Sequence, residues 1–322
     1  MALIDGTYTT YASKGQRESL EDKIYNVSPE DTPFISSIAR RKATAKVEEW
    51  QTDSLAAAVT TNAQLEGDDA AYVTPAATTR VGNYMQILRQ TCIIAGTDEV
   101  VDKAGRNSEM AYQIAKRGAE IKRDLEATVT NSIGGDAGGV GTARKMATLG
   151  AWIKTNDFVS TSGGSPTYTS GVPAAARTDG TQQAFTETNL KATVQTCYNS
   201  GAMPKVLMVG PFNKTAASGF SGVATRNFDL SNVSPKPTAI IGAADVYVSN
   251  FGTFRIIPNR FQRDRDGWLL DWNLLALMVL RSLQTKPLAQ TGDAEKRLMI
   301  WECSLQVKNE AGLGLVADLS TS

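Results

Sequence analysis

The sequence has no histidine among its 322 residues. This absence excludes Ser-His-Asp and Cys-His catalytic machinery, zinc sites that contain histidine, and the commonest general base at neutral pH. Enzymes without a catalytic histidine exist, so catalysis is disfavoured rather than ruled out. We therefore expect no catalytic residues and no cofactor-binding or metal-binding residues.

Cysteine is scarce, since only Cys92, Cys197 and Cys303 are present. The three are isolated in sequence, odd in number and set among apolar or β-type residues. This pattern predicts small buried thiols in a reducing compartment rather than a disulfide framework.

A charge imbalance and a long apolar run are also missing. Lys and Arg number 33, as do Asp and Glu, so the net charge is zero and no polybasic run indicates tight nucleic-acid binding. No apolar stretch reaches membrane-spanning length, and residues 1–16 lack the apolar core of a secretory signal. The hydrophobic content of 42% is that of a globular chain, with room for two domains or one elaborated domain.

The strongest positive signal is a helix predicted over residues 108–132. Asn107 or Ser108 can cap its start, and the paired glycines Gly134 and Gly135 end it. At 100° per residue, one face collects apolar residues and glycine: Met110, Ile114, Gly118, Ile121, Leu125 and Val129. The opposite face is charged, with Arg117, Glu120, Arg123 and Asp124 among its residues. Lys122–Glu126 and Glu120–Arg123 are spaced as supportive pairs. A helix with one apolar face at this length normally lies across a sheet.

Residues 1–43 are interpreted as an N-terminal arm. The segment is mostly polar, and Pro29 and Pro33 interrupt its short helical pieces. Arg40, Arg41 and Lys42 are interpreted as a solvated helix end. Such an arm cannot bury itself on its own domain, so we expect it to contact a neighbour.

Residues 44–97 are interpreted as an extended β-arm. Strand patterns around Val47 and Trp50 and over residues 78–97 flank a segment rich in Ala and Thr, with few large apolar residues. A two-stranded ribbon is marginal in water, and the sequence shows no obvious third strand beside it. A neighbouring copy is the expected support.

The glycine-rich stretch 134–141 is best explained as a flexible connector. Its spacing to Lys145 does not fit a phosphate-binding loop, and it follows a helix instead of a strand. A short helix with Met146, Leu149 and Trp152 buried is predicted over 142–155. Residues 156–181, rich in Gly, Ser, Thr and Pro, are predicted to form a long surface loop or insertion.

An α/β unit follows, with a helix over 188–200, a buried strand over 204–210 and a short helix over 212–220. A hairpin is predicted over 245–261. Residues 268–283 favour two strands with a turn near 271–273, an alternating strand follows at 296–307, and a closing strand follows at 315–319. We expect these closing strands to pack against the helix 108–132.

Several stretches together resemble the major head proteins of tailed bacteriophages. They are VSPEDTPFISSI at 27–38, AKRGAEIKRDLE at 115–126, TARKMATLGAWIKTN at 142–156, DVYVSNFGTFRIIPNRF at 245–261 and LRSLQTKPLAQTGD at 280–293. The resemblance spans nearly the whole chain and is carried by the order and combination of segments, since shell proteins have no active-site signature.

The resemblance implies an α+β, HK97-like capsid fold and not an enzyme. The implied parts are an N-terminal arm (1–43), an extended β-arm or E-loop (44–97), a peripheral domain with a spine helix at 108–132 (98–155 and 261–322), and an axial α/β domain (156–260). It further implies a virion protein, assembled in the bacterial cytoplasm, that self-assembles into hexamers and pentamers of an icosahedral or prolate head enclosing double-stranded DNA. Expected partners are further copies of the chain, a portal, a separate scaffolding protein and a decoration protein. DNA contact is expected to be non-specific, and no membrane is involved.

Two alternatives remain open at this point. One is an encapsulin-like compartment shell of the same fold. The other is an α/β enzyme that uses carboxylates such as Asp264, Asp266 and Asp271 as an acid or metal cluster. Asp264 and Asp266, flanked by arginines and a glycine, are more simply interpreted as a solvated turn.

Overall fold

The spine of the molecule is helix α3, and the computed structural model describes residues 29, 31–69, 72–220 and 245–321 around it. The other helices are short: α1 Pro33–Ser37, α2 Gly96–Val100, α4 Leu149–Trp152, α5 Glu187–Asn199 and α6 Pro211–Ser218. The first strands are β1 Ala39–Lys42, β2 Val47–Thr52, β3 Thr79–Tyr84, β4 Gln86–Ala95, β5 Asp157–Phe158, β6 Thr167–Thr169 and β7 Val172–Ala175. The remaining strands are β8 Val206–Val209, β9 Val246–Ser249, β10 Gly252–Pro258, β11 Gly267–Leu270, β12 Leu275–Pro287, β13 Ala294–Val307 and β14 Gly314–Val316.

Helix α3 spans Glu109–Val129, which confirms the predicted spine. The hydroxyl of Ser108 caps it by accepting from the amide of Ala111 at 3.1 Å. Four residues of the predicted apolar face are buried: Met110, Ile121, Leu125 and Val129. Their 3.6-residue spacing is the reason that one stripe of this charged helix can face a core.

A four-stranded sheet lies against α3 in the order β1-β12-β13-β4. Strands β12 and β13 pair antiparallel from Leu275↔Val307 to Pro287↔Arg297, which confirms that the segments 268–283 and 296–307 contain strands. Strand β4 then runs antiparallel to β13. The prediction that no third strand accompanies residues 78–97 is therefore wrong: only β3 stays with β2, while β4 joins a strand about 200 residues away.

The N-terminal arm is also less independent than predicted. Phe34, Ile35, Ile38 and Ala43 are buried, and β1 pairs in parallel with β12. Residues 33–43 therefore pack on their own chain, although the side chains of β1 stay exposed. The rest of the predicted arm, 1–32, lies outside the described residues except for Pro29, Asp31 and Thr32.

A six-stranded sheet has the order β5-β14-β11-β8-β10-β9. Its central strand β8 is buried at every position. Val206 and Met208 face the core shared with α3, whereas Leu207 and Val209 face a second core under α5 and α6. Burial on both faces explains why this strand is a continuous apolar run.

Two closing strands belong to this sheet and not to the one beside α3. β11 pairs with β8, and β14 pairs with both β11 and β5. β11 and β14 nevertheless contribute Trp268, Leu270 and Leu315 to the core that α3 also lines, although they pair within the other sheet. The predicted turn between β11 and β12 is confirmed as a 3-10 turn at Trp272–Leu274.

The two glycine-rich segments are more ordered than the sequence suggested. Residues 136–145 form a tight hairpin with bridges Asp136↔Lys145 and Gly139↔Thr142, in place of a flexible connector. The segment 156–181 contains β5 and the hairpin β6–β7, and it buries Val172 and Arg177. The helix predicted over 142–155 shortens to α4, although Met146, Leu149 and Trp152 are buried as predicted.

Candidate assembly surfaces

The carboxylates of the enzyme alternative do not converge. Asp266 and Asp271 lie at opposite ends of β11, five extended residues apart, or roughly 17 Å at 3.3 Å per residue. The Asp271 carboxylate caps the following 3-10 turn by accepting from the amide of Asn273 at 3.1 Å. Within the described residues, no group of three or more His, Cys, Asp or Glu side chains is arranged to hold a metal ion.

Asp266 is not solvated, so the interpretation of its turn was wrong for this residue. Its side chain is 0% exposed, and its Oδ1 lies 2.7 Å from Nη2 of Arg177, which is equally buried. Arg177 also donates to Asp318 at 3.2 Å. Three arginines and three aspartates make up this charge cluster: Arg177, Arg263, Arg265, Asp179, Asp266 and Asp318.

The charge cluster holds separate segments of the chain together and is not a reactive site. Burial raises the pKa of Asp266, although Arg177 and Arg263 partly oppose that rise. Burial by itself would also raise the pKa of Asp318. The hydrogen bond from the amide of Gly180 and the charge of the Arg177 guanidinium outweigh burial and lower that pKa. Both carboxylates are matched by arginines, so the cluster ties the 156–181 segment to the turn before β11 and to the C-terminal segment.

A second buried carboxylate joins three parts of the chain. Glu126 on α3 accepts from the amides of Phe34 and Ile35 at 2.8 Å each, and from Nδ2 of Asn259 at 2.7 Å. Burial raises its pKa, while these donors act in the opposite direction. The predicted Lys122–Glu126 pair is therefore wrong, because Glu126 points inward to the arm and to the end of β10.

The charged face of α3 is engaged within the chain. Arg117 pairs with Glu120 at 2.6 Å, in place of the predicted Glu120–Arg123 pair. Arg123 lies over the ring of Phe261, and Asp124 accepts from Gln90 at 3.0 Å. The charged side chains of this face are therefore used in contacts within their own chain.

The glycine-rich hairpin offers no phosphate cradle. The amide of Gly139 donates to Thr142 O at 3.1 Å, and the amide of Gly138 donates to the Asp136 carboxylate at 2.9 Å. These amides are used inside the hairpin itself.

The predicted buried thiols are confirmed, since Cys92, Cys197 and Cys303 are all free and buried. Burial raises the pKa of Cys197 and of Cys303 to about 12, which leaves both unreactive.

The most unusual surface is the loop that joins β2 to β3, residues 53–78, which we call the E-loop. Five large apolar side chains within it are exposed: Leu55, Val59, Leu65, Tyr72 and Val73. Leu55 is 99% exposed and Tyr72 is 97% exposed. A soluble monomer rarely leaves so many large apolar side chains exposed on one segment, so the loop has the character of a surface that binds another protein.

None of the described helices is long and apolar enough to cross a membrane.

The sequence matches the model of one protein family, described as SU10 major capsid protein, over residues 4–320. The chain belongs to this family of major capsid proteins. It is accordingly a structural protein of a tailed-phage head, found in the virion capsid, and not an enzyme.

A sequence relative supports this assignment over a shorter stretch. The major capsid protein of Escherichia phage Phieco32 is 36% identical over 119 residues, which cover 37% of this chain. The match spans about a third (34%) of the length of that relative.

Solved structures show the fold of this capsid protein. The capsid asymmetric unit of cyanophage A-1(L) superposes with a TM-score of 0.64 at 14% identity, covering 97% of this chain and 98% of that one. A structure of phage G major capsid proteins with decoration proteins gives 0.56 at 11% identity, covering 99% and 100%. The encapsulin complex of Synechococcus elongatus gives 0.53 at 9% identity, covering 96% and 94%. The fold is therefore HK97-like, which phage capsids and encapsulins share.

Proposed function

We propose that this capsid protein closes into hexamers and pentamers, and that each subunit lays its E-loop across a neighbouring copy. The observation that carries the proposal is the E-loop itself, whose five large apolar side chains are exposed beyond the end of the two-stranded β2–β3 ribbon. Burying that apolar surface between copies would supply the hydrophobic part of an interface. Individually weak contacts suffice, because a closed symmetric shell repeats each of them.

The proposed domain organisation follows the strand pairing. The peripheral domain is built on α3 and the four-stranded sheet, and it includes β4 and β1. The axial domain is built on the six-stranded sheet, and it includes β11 and β14. The β2–β3 ribbon then carries the E-loop, residues 53–78, at its end. This revision moves β4 out of the predicted 44–97 arm and moves two strands across the predicted boundary at 260/261.

The proposed partners are a portal, a separate scaffolding protein and a decoration protein. Decoration proteins accompany the phage G major capsid proteins, which supports a search for one here. Packaged DNA would be contacted non-specifically, since the chain carries zero net charge and neither repels nor tightly binds a polyanion. The encapsulin alternative rests on the shared fold alone, and membership of the phage capsid family favours the head.

Deleting residues 54–77 tests the role of the E-loop. Thr52 pairs with Thr79 at the end of the ribbon, so the deletion leaves Asp53 and Thr78 as a two-residue connection. Replacing these two residues with Asn-Gly lets the strands close as a tight hairpin. We expect a folded monomer with an unchanged circular dichroism spectrum that forms no shells in electron micrographs. Control chains carry the single substitution Thr60→Ala in the same loop and should assemble. Normal shells from the deletion would overturn the assignment.

A further inference from the structure

A basic crevice lies between α3 and the edge strand β1. Its volume is about 520 Å³, and its rim carries Arg40, Arg41, Lys42 and Lys122. No carboxylate lines the crevice, and none of these four cations has an ion-pair partner within the described residues. The predicted solvated helix end is thus an exposed strand that concentrates positive charge at one place.

The floor of the same crevice is apolar. Trp301 of β13 and Leu283 of β12 line it, and both pack against the main core. Strand β1 ends opposite Val279, so the part of β12 beyond that point pairs with β13 alone among the described strands. An occupant of this crevice therefore meets a cationic rim, an apolar floor and free backbone groups of a sheet edge.

The tip of the E-loop has the complementary composition. Asp53, Glu66, Asp68 and Asp69 are the only charged residues between positions 53 and 78. The tip turns at Gly67, whose φ of +81° suits glycine, and the amide of Asp68 donates to Leu65 O at 3.3 Å. This acidic turn is flanked by exposed apolar side chains, Leu65 before it and Tyr72 and Val73 after it.

We propose that the basic crevice of one subunit receives the acidic tip of the E-loop from a second copy. This inference rests on the proposed function and adds the receiving surface to it. The tip carboxylates would sit at the rim formed by Arg40, Arg41, Lys42 and Lys122, and the flanking apolar side chains would cover Trp301 and Leu283. Opposite charges at a repeated contact fix its register as well as its affinity.

Disulfide trapping tests the contact in the full chain. Asp68→Cys places a thiol at the tip and Ser282→Cys places one in the crevice wall, while the three native cysteines are buried. Oxidised shells of the double variant should give a ladder of covalent dimers and higher multimers on a denaturing gel. The control pair Ser54→Cys with Ser282→Cys puts the loop thiol at the base of the E-loop and should give no ladder.

A charge reversal tests the electrostatic part. Lys122→Glu should raise the protein concentration at which shells form by about tenfold, and adding Asp68→Lys should restore assembly. Lys116→Glu changes the same charge at an exposed site of α3 outside the crevice and should have no effect.

The outcomes separate this inference from the proposed function. Shells that form without a disulfide ladder would overturn the crevice assignment and leave the shell function standing. Normal shells from Lys122→Glu that fail to retain DNA would overturn it in favour of a nucleic-acid surface. A wild-type chain that forms no shells, even with a co-expressed scaffolding candidate, would overturn both proposals.

Discussion

At the scale of single residues, Glu126 holds together parts of the chain that lie far apart in sequence. Its carboxylate satisfies two amides at the start of α1 and the side-chain amide of Asn259 after β10. Because the site is buried, water cannot replace a lost acceptor. The arm, the spine helix and the end of a strand from the other sheet thus depend on one side chain.

Glu126→Ala should therefore lower the free energy of unfolding by about 3 kcal/mol or more, because three buried donors lose their acceptor. Urea denaturation of the unassembled chain measures this change. Glu120→Gln on the same helix removes only a partly exposed pair with Arg117 and should cost about 0.5 kcal/mol or less. Equal effects of the two substitutions would contradict the structural role of Glu126.

At the scale of elements, the charge cluster around Arg177 pins the 156–181 segment to the six-stranded sheet. Asp318 lies in the left-handed region at φ 58°, and it accepts from the amides of Gly180 and Ser160 as well as from Arg177. Its lowered pKa means that the ionised form is favoured by folding. The ionised carboxylate therefore contributes to the free energy of unfolding at any pH above its ordinary pKa of 3.8. This contribution is lost as the pH falls through the lower pKa of the folded state.

Asp318→Asn should keep the backbone conformation, which asparagine tolerates, and lower the free energy of unfolding by about 3 kcal/mol at neutral pH. The difference from wild type should shrink as the pH is taken below 3.8, since protonation removes the same charge from the wild-type residue. Urea titrations at a series of pH values measure both effects. Asp69→Asn in the exposed E-loop serves as the control, and a pH-independent gap for Asp318→Asn would contradict this account.

The elements that the sequence predicted well are those whose patterns are local. Helix α3 follows from its apolar stripe and its Ser108 cap, β12 follows from an apolar run after a turn, and β13 follows from alternation. Strand partners were missed where pairing is long-range. The register of β4 on β13 depends on residues about 200 positions away, which no local pattern encodes.

Among the surfaces, local reasoning found the E-loop and missed the buried charges. Asp266 and Glu126 carry no sequence sign of burial, because their partners Arg177 and Asn259 come from other segments. Arg40 and Arg41 show no local sign of a strand for the same reason, since β1 forms only by pairing with β12.

At the scale of the whole molecule, two large hydrophobic cores contrast with the exposed E-loop within the part of the chain that the structure describes. The core beside α3 and the core under α5 and α6 bury most large apolar residues, whereas the E-loop leaves five of them exposed. That contrast favours a subunit that is stable alone and completed by its neighbours. The shell, in this account, supplies the surface that covers the E-loop.

The measurement that tests this central claim most directly is cryo-electron microscopy of the full chain, expressed alone and with a scaffolding candidate, with light scattering on the same samples. We expect closed shells whose capsomers show fivefold and sixfold symmetry, with density for the E-loop lying on an adjacent subunit. A chain that stays a 34.5 kDa monomer under both conditions, or shells whose E-loops contact no neighbour, would contradict it.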